Sequence, residues 1–126
     1  MMRIVLMLAA IVAALLAPAL DNLVLAKDRP TIDQTHAIKH VAQAMMADLY
    51  CDDYGMDTTF TELLLQGIGL SGTDVGVGGR FNDLLMFEIG EAAKTLDKHP
   101  RPKACGAVVR LYGPNGENVR GLVKRK

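Results

Sequence analysis

The sequence predicts a small, mainly α-helical domain of three to four helices, stapled by one disulfide and ending in a short C-terminal β-hairpin or an extended tail; an α+β arrangement is the alternative. Three observations carry this expectation. Apolar residues recur at helical spacing in three stretches bounded by capping, glycine or proline signals. Cys51 and Cys105 stand far apart in a chain of 126 residues. Once an apolar N-terminal run is set aside, residues 27–126 suffice for one domain and are too few for two.

Met1-Met2-Arg3 followed by an apolar run from Ile4 to Leu20 has the charged start and hydrophobic core of a secretory signal peptide. Cleavage after Ala19 would use Ala17-Pro18-Ala19. Cleavage after Ala26 leaves a polar mature start at Lys27, and residues 1–26 are read as the signal on that ground. The run is shorter than the roughly 20 apolar residues that a bilayer core requires, so no transmembrane segment is expected after cleavage. The expected location is periplasmic or secreted.

With no Trp, three Phe and three Tyr, the core must rest on Leu, Val, Ile, Met and Ala. Such a core is modest, and a covalent staple strengthens it. Two cysteines in an exported chain pair in one intramolecular way, so a Cys51–Cys105 disulfide is expected. No C-x-x-C motif points to a redox pair.

Thr31-Ile32-Asp33-Gln34 fits a capping box, and Ile38, Val41, Ala42, Met45 and Leu49 then recur at helical spacing. Gln34, Lys39, Gln43 and Asp48 occupy the other face, predicting a surface helix with one buried stripe that ends between Tyr50 and Gly55. Thr59-Phe60-Thr61-Glu62 opens a second, short helix through Leu63-Leu64-Leu65-Gln66. From about Arg80 the pattern Phe81, Leu84, Leu85, Ile89, Ala92, Leu96 makes a third, reaching about Lys98 before Pro100. Residues 102–112 read preferably as a fourth helix, stopped by Gly113-Pro114. The alternative is a hairpin of 107–112 with 117–123.

Between the second and third helices lies Gly67-Ile68-Gly69-Leu70-Ser71-Gly72, which matches the dinucleotide pattern G-x-G-x-x-G. That pattern functions after a strand, at the opening of a helix, in a parallel sheet. Here a helix precedes it and Thr73-Asp74-Val75-Gly76 continues as glycine-broken chain, so residues 67–79 read as a flexible connector or exposed contact loop. Gly76-Val77-Gly78-Gly79 before Arg80 is a candidate anion nest. No nucleotide and no other cofactor is expected.

Net charge is zero, yet residues 27–93 carry four basic side chains against eleven acidic, and residues 94–126 carry nine against two. The basic part, above all Lys98, Arg101, Lys103 and the terminal Lys124-Arg125-Lys126, either attracts the acidic part across one domain or faces an envelope protein or anionic envelope component. Nucleic acid is not an expected partner of an exported chain that lacks aromatic interleaving among its basic residues.

His36 and His40, four apart, share a helix face and can reach one metal ion, with Asp33 one turn earlier as a third ligand. The metalloprotease pattern H-E-x-x-H is absent, because Ala37 follows His36. Asp48, Asp52, Asp53 and Asp57 cluster around Cys51 without the order of a calcium loop, and read as an acidic turn that helps cap the next helix. Ser71, the one serine, misses G-x-S-x-G at its last position. The expected function is therefore non-catalytic: an exported binding, adaptor or chaperone-like protein. The rivals are a metal-binding protein using His36 and His40, an inhibitor of an envelope enzyme presenting residues 67–79, and a small hydrolase.

Overall fold

The computed structural model describes residues 29–126, and the expected signal peptide lies outside them. The elements follow the chain as α1 (Ile32–Tyr50), β1 (Tyr54–Met56), α2 (Thr58–Gly67), α3 (Gly72–Val75), α4 (Asn82–Leu96), α5 (Arg101–Tyr112) and β2 (Val123–Arg125). The protein is mainly helical, with a two-stranded sheet and one disulfide, Cys51–Cys105, whose Cα atoms are 5.0 Å apart. No helix of the described residues is long and apolar enough to cross a membrane.

The predicted capping box opens α1: Thr31 Oγ1 accepts from Gln34 N at 3.1 Å, and Gln34 Oε1 accepts from Thr31 N at 3.0 Å. The single buried stripe is a misreading. One side of the helix packs Ile38, Val41 and Ala42 into a cluster with Leu65, Leu70, Val75, Phe81 and Leu85. Another side packs Ala44, Met46, Ala47 and Cys51 against Val108, Tyr112, Leu122 and Val123. Alanines at 37, 42, 44 and 47 are buried and small, which lets neighbours approach α1 closely. Leu49, predicted on the stripe, is 60% exposed, because the neighbours at that end cover Met46, Ala47 and Cys51 instead. Met45, Met56 and Ile89 pack against both clusters and join them.

The second helix begins at Thr58, one residue before the predicted cap at Thr59. Asp57 is its N-cap, with its carboxylate accepting from Phe60 N at 3.0 Å. The reason is tertiary: Asp57 N donates to Leu122 O at 2.7 Å, which holds Asp57 extended at the end of the strand ladder. Lys124 Nζ sits 3.8 Å from the same carboxylate. Asp57→Ala is expected to cost about 1 kcal/mol, the usual loss on removing an acidic cap, read as a lower urea midpoint with an unchanged slope.

The glycine-rich stretch is not an irregular connector. Ser71 N donates to Asp74 Oδ2 at 2.9 Å, closing a capping arrangement on the four-residue α3. Leu70, Val75 and Phe81 are buried in the first cluster, which anchors the segment at three points. Phe81 N donates to Asp74 O at 2.8 Å, Asn82 Nδ2 donates to Val75 O at 2.9 Å, and Arg80 Nε meets Asp74 Oδ1 at 3.0 Å. Gly79 lies so close to α3 that a Cβ there would stand 2.1 Å from the Thr73 carbonyl oxygen. Val77 alone projects, fully exposed, between Gly76 and Gly78.

The helical reading of residues 102–112 holds, and the alternative hairpin does not form. Residues 116–121 instead fold back over the end of α5: Glu117 N donates to Arg110 O at 3.0 Å, Asn118 N to Leu111 O at 2.9 Å and Gly121 N to Gly113 O at 3.0 Å. These bonds satisfy carbonyls that a helix end otherwise leaves unpaired. The tail then buries Leu122 and Val123 and runs antiparallel to β1, pairing Tyr54 with Arg125, Gly55 with Lys124 and Met56 with Val123.

Candidate functional site: a cleft between two helices and a histidine recess

Both α4 and α5 pack on α1, and the turn at residues 97–100 joins them. Between them opens a cleft of about 590 Å³. Ala92, Leu96, Ala107, Val108 and Leu111 give it apolar walls, and Phe87, 59% exposed, stands on its rim. Glu88 and Glu91 line the α4 side; Arg110 lines the α5 side and Lys39 the α1 side. Glu91 is drawn to Lys94 at 3.3 Å and Arg110 to Glu117 at 4.0 Å, both on exposed surface where such pairs are weak. Sequence reasoning missed this cleft, since it depends on the angle between two helices.

At the α1 edge of the cleft, the buried Tyr112 hydroxyl donates to Gln43 Oε1, and Asn118 Nδ2 donates to it at 3.4 Å. His40 Nδ1 lies 2.9 Å from the same oxygen. The one hydroxyl proton is engaged by Gln43, so Nδ1 carries a hydrogen and donates, and Nε2 keeps the lone pair. Burial holds the His40 pKa below the ordinary histidine range, and the positive charges of His36 and Lys39 push it further the same way. Burial raises the Tyr112 hydroxyl above the usual phenol range, with the Asn118 bond opposing.

His36, Lys39, His40, Gln43 and Asn118 line a second recess beside this network. The two histidines therefore share one surface, as their spacing requires. Asp33 does not join them: among the described residues, no three His, Cys, Asp or Glu side chains converge to hold a metal. Asp33 lies in the first turn of α1, on the surface, and does not line this recess.

Two basic side chains from the C-terminal part, Arg101 and Arg125, reach residues 52–54. Arg101 Nη2 reaches Asp52 Oδ1 at 3.2 Å, and Arg125 stacks on the Tyr54 ring at 5.4 Å while donating to its hydroxyl at 3.3 Å. Lys126 N donates to Asp53 O at 2.8 Å. With the Lys124–Asp57 pair, these contacts bring the acidic and basic parts of the chain together at this end. Lys98 and Lys103, exposed at the α4–α5 turn, make no ion pair among the described residues. Asp97, in the same turn, accepts from the Tyr50 hydroxyl and raises the Tyr50 pKa.

Arg80, which follows the candidate nest Gly76–Gly79, pairs with Asp74 and stacks over Phe81 at 4.6 Å. Ser71 Oγ lies 3.2 Å from Asp74 Oδ2 and 2.7 Å from Thr73 Oγ1, inside the cap of α3. Its hydrogen bonds are structural. The Asp74 carboxyl is held below the ordinary carboxylate range, chiefly by the Ser71 backbone bond, then by Arg80.

Fold and sites together define a small, disulfide-bonded, mainly helical domain with an open cleft. Compared with known proteins, the chain matches no family, no curated protein and no solved structure.

Proposed function

We propose that this is an exported, non-catalytic binding protein of the adaptor or chaperone-like type, and that its α4–α5 cleft receives an amphipathic polypeptide helix. One observation carries the reading: two helices packed on a third leave a slot with apolar walls and charges of opposite sign on its two sides. A helix laid there buries an aliphatic ridge between Leu96 and Leu111, as amphipathic helices do in grooves. Its basic edge faces Glu88 and Glu91, and its acidic edge faces Arg110 and Lys39. The disulfide is consistent with an oxidising compartment, in keeping with a periplasmic or secreted location. The exposed Lys98 and Lys103 give an envelope partner, or an anionic envelope component, a second and sequence-tolerant contact.

The test uses a fluorescent synthetic helix with a leucine ridge, lysines along one edge and glutamates along the other. Anisotropy is expected to report saturable binding that weakens with salt, since exposed charges are screened. Ala92→Trp, which fills the cleft, should weaken binding at least tenfold with the thermal midpoint little changed. A cleft-filled variant that binds as well as the wild type, or a wild type that ignores the peptide, overturns the proposal.

A further inference from the structure

We propose that the recess at His36 and His40 is a binding site for a divalent late transition-metal ion, with Cu(II) held most tightly. His36 and His40 lie four residues apart on α1, a spacing that stacks their side chains on one helix face, and both line the same recess. His40 is already arranged as a ligand. Its Nδ1 is tied to the Tyr112 hydroxyl at 2.9 Å, and that hydroxyl is in turn tied to Gln43 and Asn118. The ring tautomer and orientation are thereby fixed, with the lone pair on Nε2. Metal-binding histidines are regularly oriented this way, through a hydrogen bond on the nitrogen that does not ligate.

Imidazole ligands select copper, nickel and zinc over magnesium or calcium, and affinity among first-row divalent ions peaks at copper. Two imidazoles leave the remaining coordination positions to water, unlike the four-ligand cage of a structural zinc site. Asn118 also lines the recess, and its bond to Tyr112 uses the amide nitrogen and not the oxygen. An ion held so is exchangeable, which suits uptake and transfer. Lys39 lines the same recess and opposes a cation there. This site goes beyond the cleft proposal and does not depend on it, because neither His36 nor His40 lines the cleft.

The oxidised full-length chain is titrated with Cu(II) against a glycine competitor, with circular dichroism as the folding check. One equivalent is expected to bind the wild type. His36→Ala, at an exposed position, should weaken it at least tenfold, and His40→Ala likewise. Tyr112→Phe keeps both imidazoles but frees the His40 ring, and should weaken binding about tenfold to a hundredfold, the usual loss of an orienting partner. Lys39→Gln should tighten binding. His99→Ala, in the exposed turn between α4 and α5 and outside the recess, should bind as the wild type does. Binding that survives unchanged in His36→Ala, that disappears in His99→Ala, or that is absent from the wild type overturns the proposal.

Discussion

Replacing both Cys51 and Cys105 by alanine is expected to lower stability by about 4 kcal/mol and the melting temperature by on the order of 20 °C. The cross-link joins residues separated by 54 in sequence, so its loss frees a long loop in the unfolded chain. That loop contains β1, α2, α3, α4 and the first turn of α5, leaving α1, the rest of α5 and the tail outside it. Cys51 also caps α1 through a bond from its N–H to Ala47 O at 2.9 Å, and it is buried in the second cluster. Alanine keeps the backbone bond, so the effect measures the covalent link. Thermal unfolding of the double variant beside the reduced wild type checks it: both should melt far below the oxidised protein. A double variant melting within a few degrees of the oxidised wild type would show that α1 and α5 hold the fold without the bond.

Gly79→Ala is expected to destabilise by about 3 kcal/mol, at the upper end of what overpacking costs. The added methyl would lie 2.1 Å from Thr73 O and 2.4 Å from Asp74 O, and neither backbone oxygen can move without breaking the turn. The contrast is Gly90→Ala on α4, where nothing stands within 4 Å. There alanine should stabilise by up to about 1 kcal/mol, since glycine is the poorer helix former. Urea unfolding of the two variants therefore moves in opposite directions. If both stabilise, the stretch from Gly67 to Gly79 is the slack connector that its composition implies.

Acid should act on the same segment. The Asp74 carboxyl is held below its ordinary range in the folded protein, so the folded state favours the ionised form. Its contribution is complete above the ordinary carboxylate range and disappears as pH falls through and below it. Asp74→Asn should flatten that limb of the stability–pH curve, as measured by urea midpoints across the acid range.

Much of the fold is legible because its signals are local. The capping box at Thr31 and Gln34, the proline and glycine bounds of α5 and the lone cysteine pair each depend on neighbours or on elimination. What escapes depends on partners far away. Strands of three residues, Tyr54–Met56 and Val123–Arg125, have no period to read, and their pairing joins the segment after α1 to the C-terminal tail. The acidic turn already offered Asp57 as a cap for α2; the strand ladder that selects it over Thr59 is what local residues do not show. The short α3 had a local signal in Ser71-Gly72-Thr73-Asp74, but the glycines around it spoke louder. At the site, Gln43 was detectable as the next residue on the face of His36 and His40. Tyr112 and Asn118 were not, since the packing of α5 on α1 brings the first there and the turn after α5 the second.

The two-sided burial of α1 sets the order in which the molecule opens. Amides near Ile38, Val41, Ala44 and Ala47 face packed side chains in both directions, so their hydrogens exchange only when both clusters come apart. The α2–α3 segment joins α1 chiefly through the first cluster, with Leu64 touching the second and Gln34 Nε2 donating to Ile68 O at 3.0 Å, and it has neither ladder nor cross-link at those contacts. Its amides should exchange through a smaller, earlier opening that leaves α1, α5 and the strand pair protected. Native-state exchange would then resolve two cooperative units within one small domain, with α1 as the element that belongs to both.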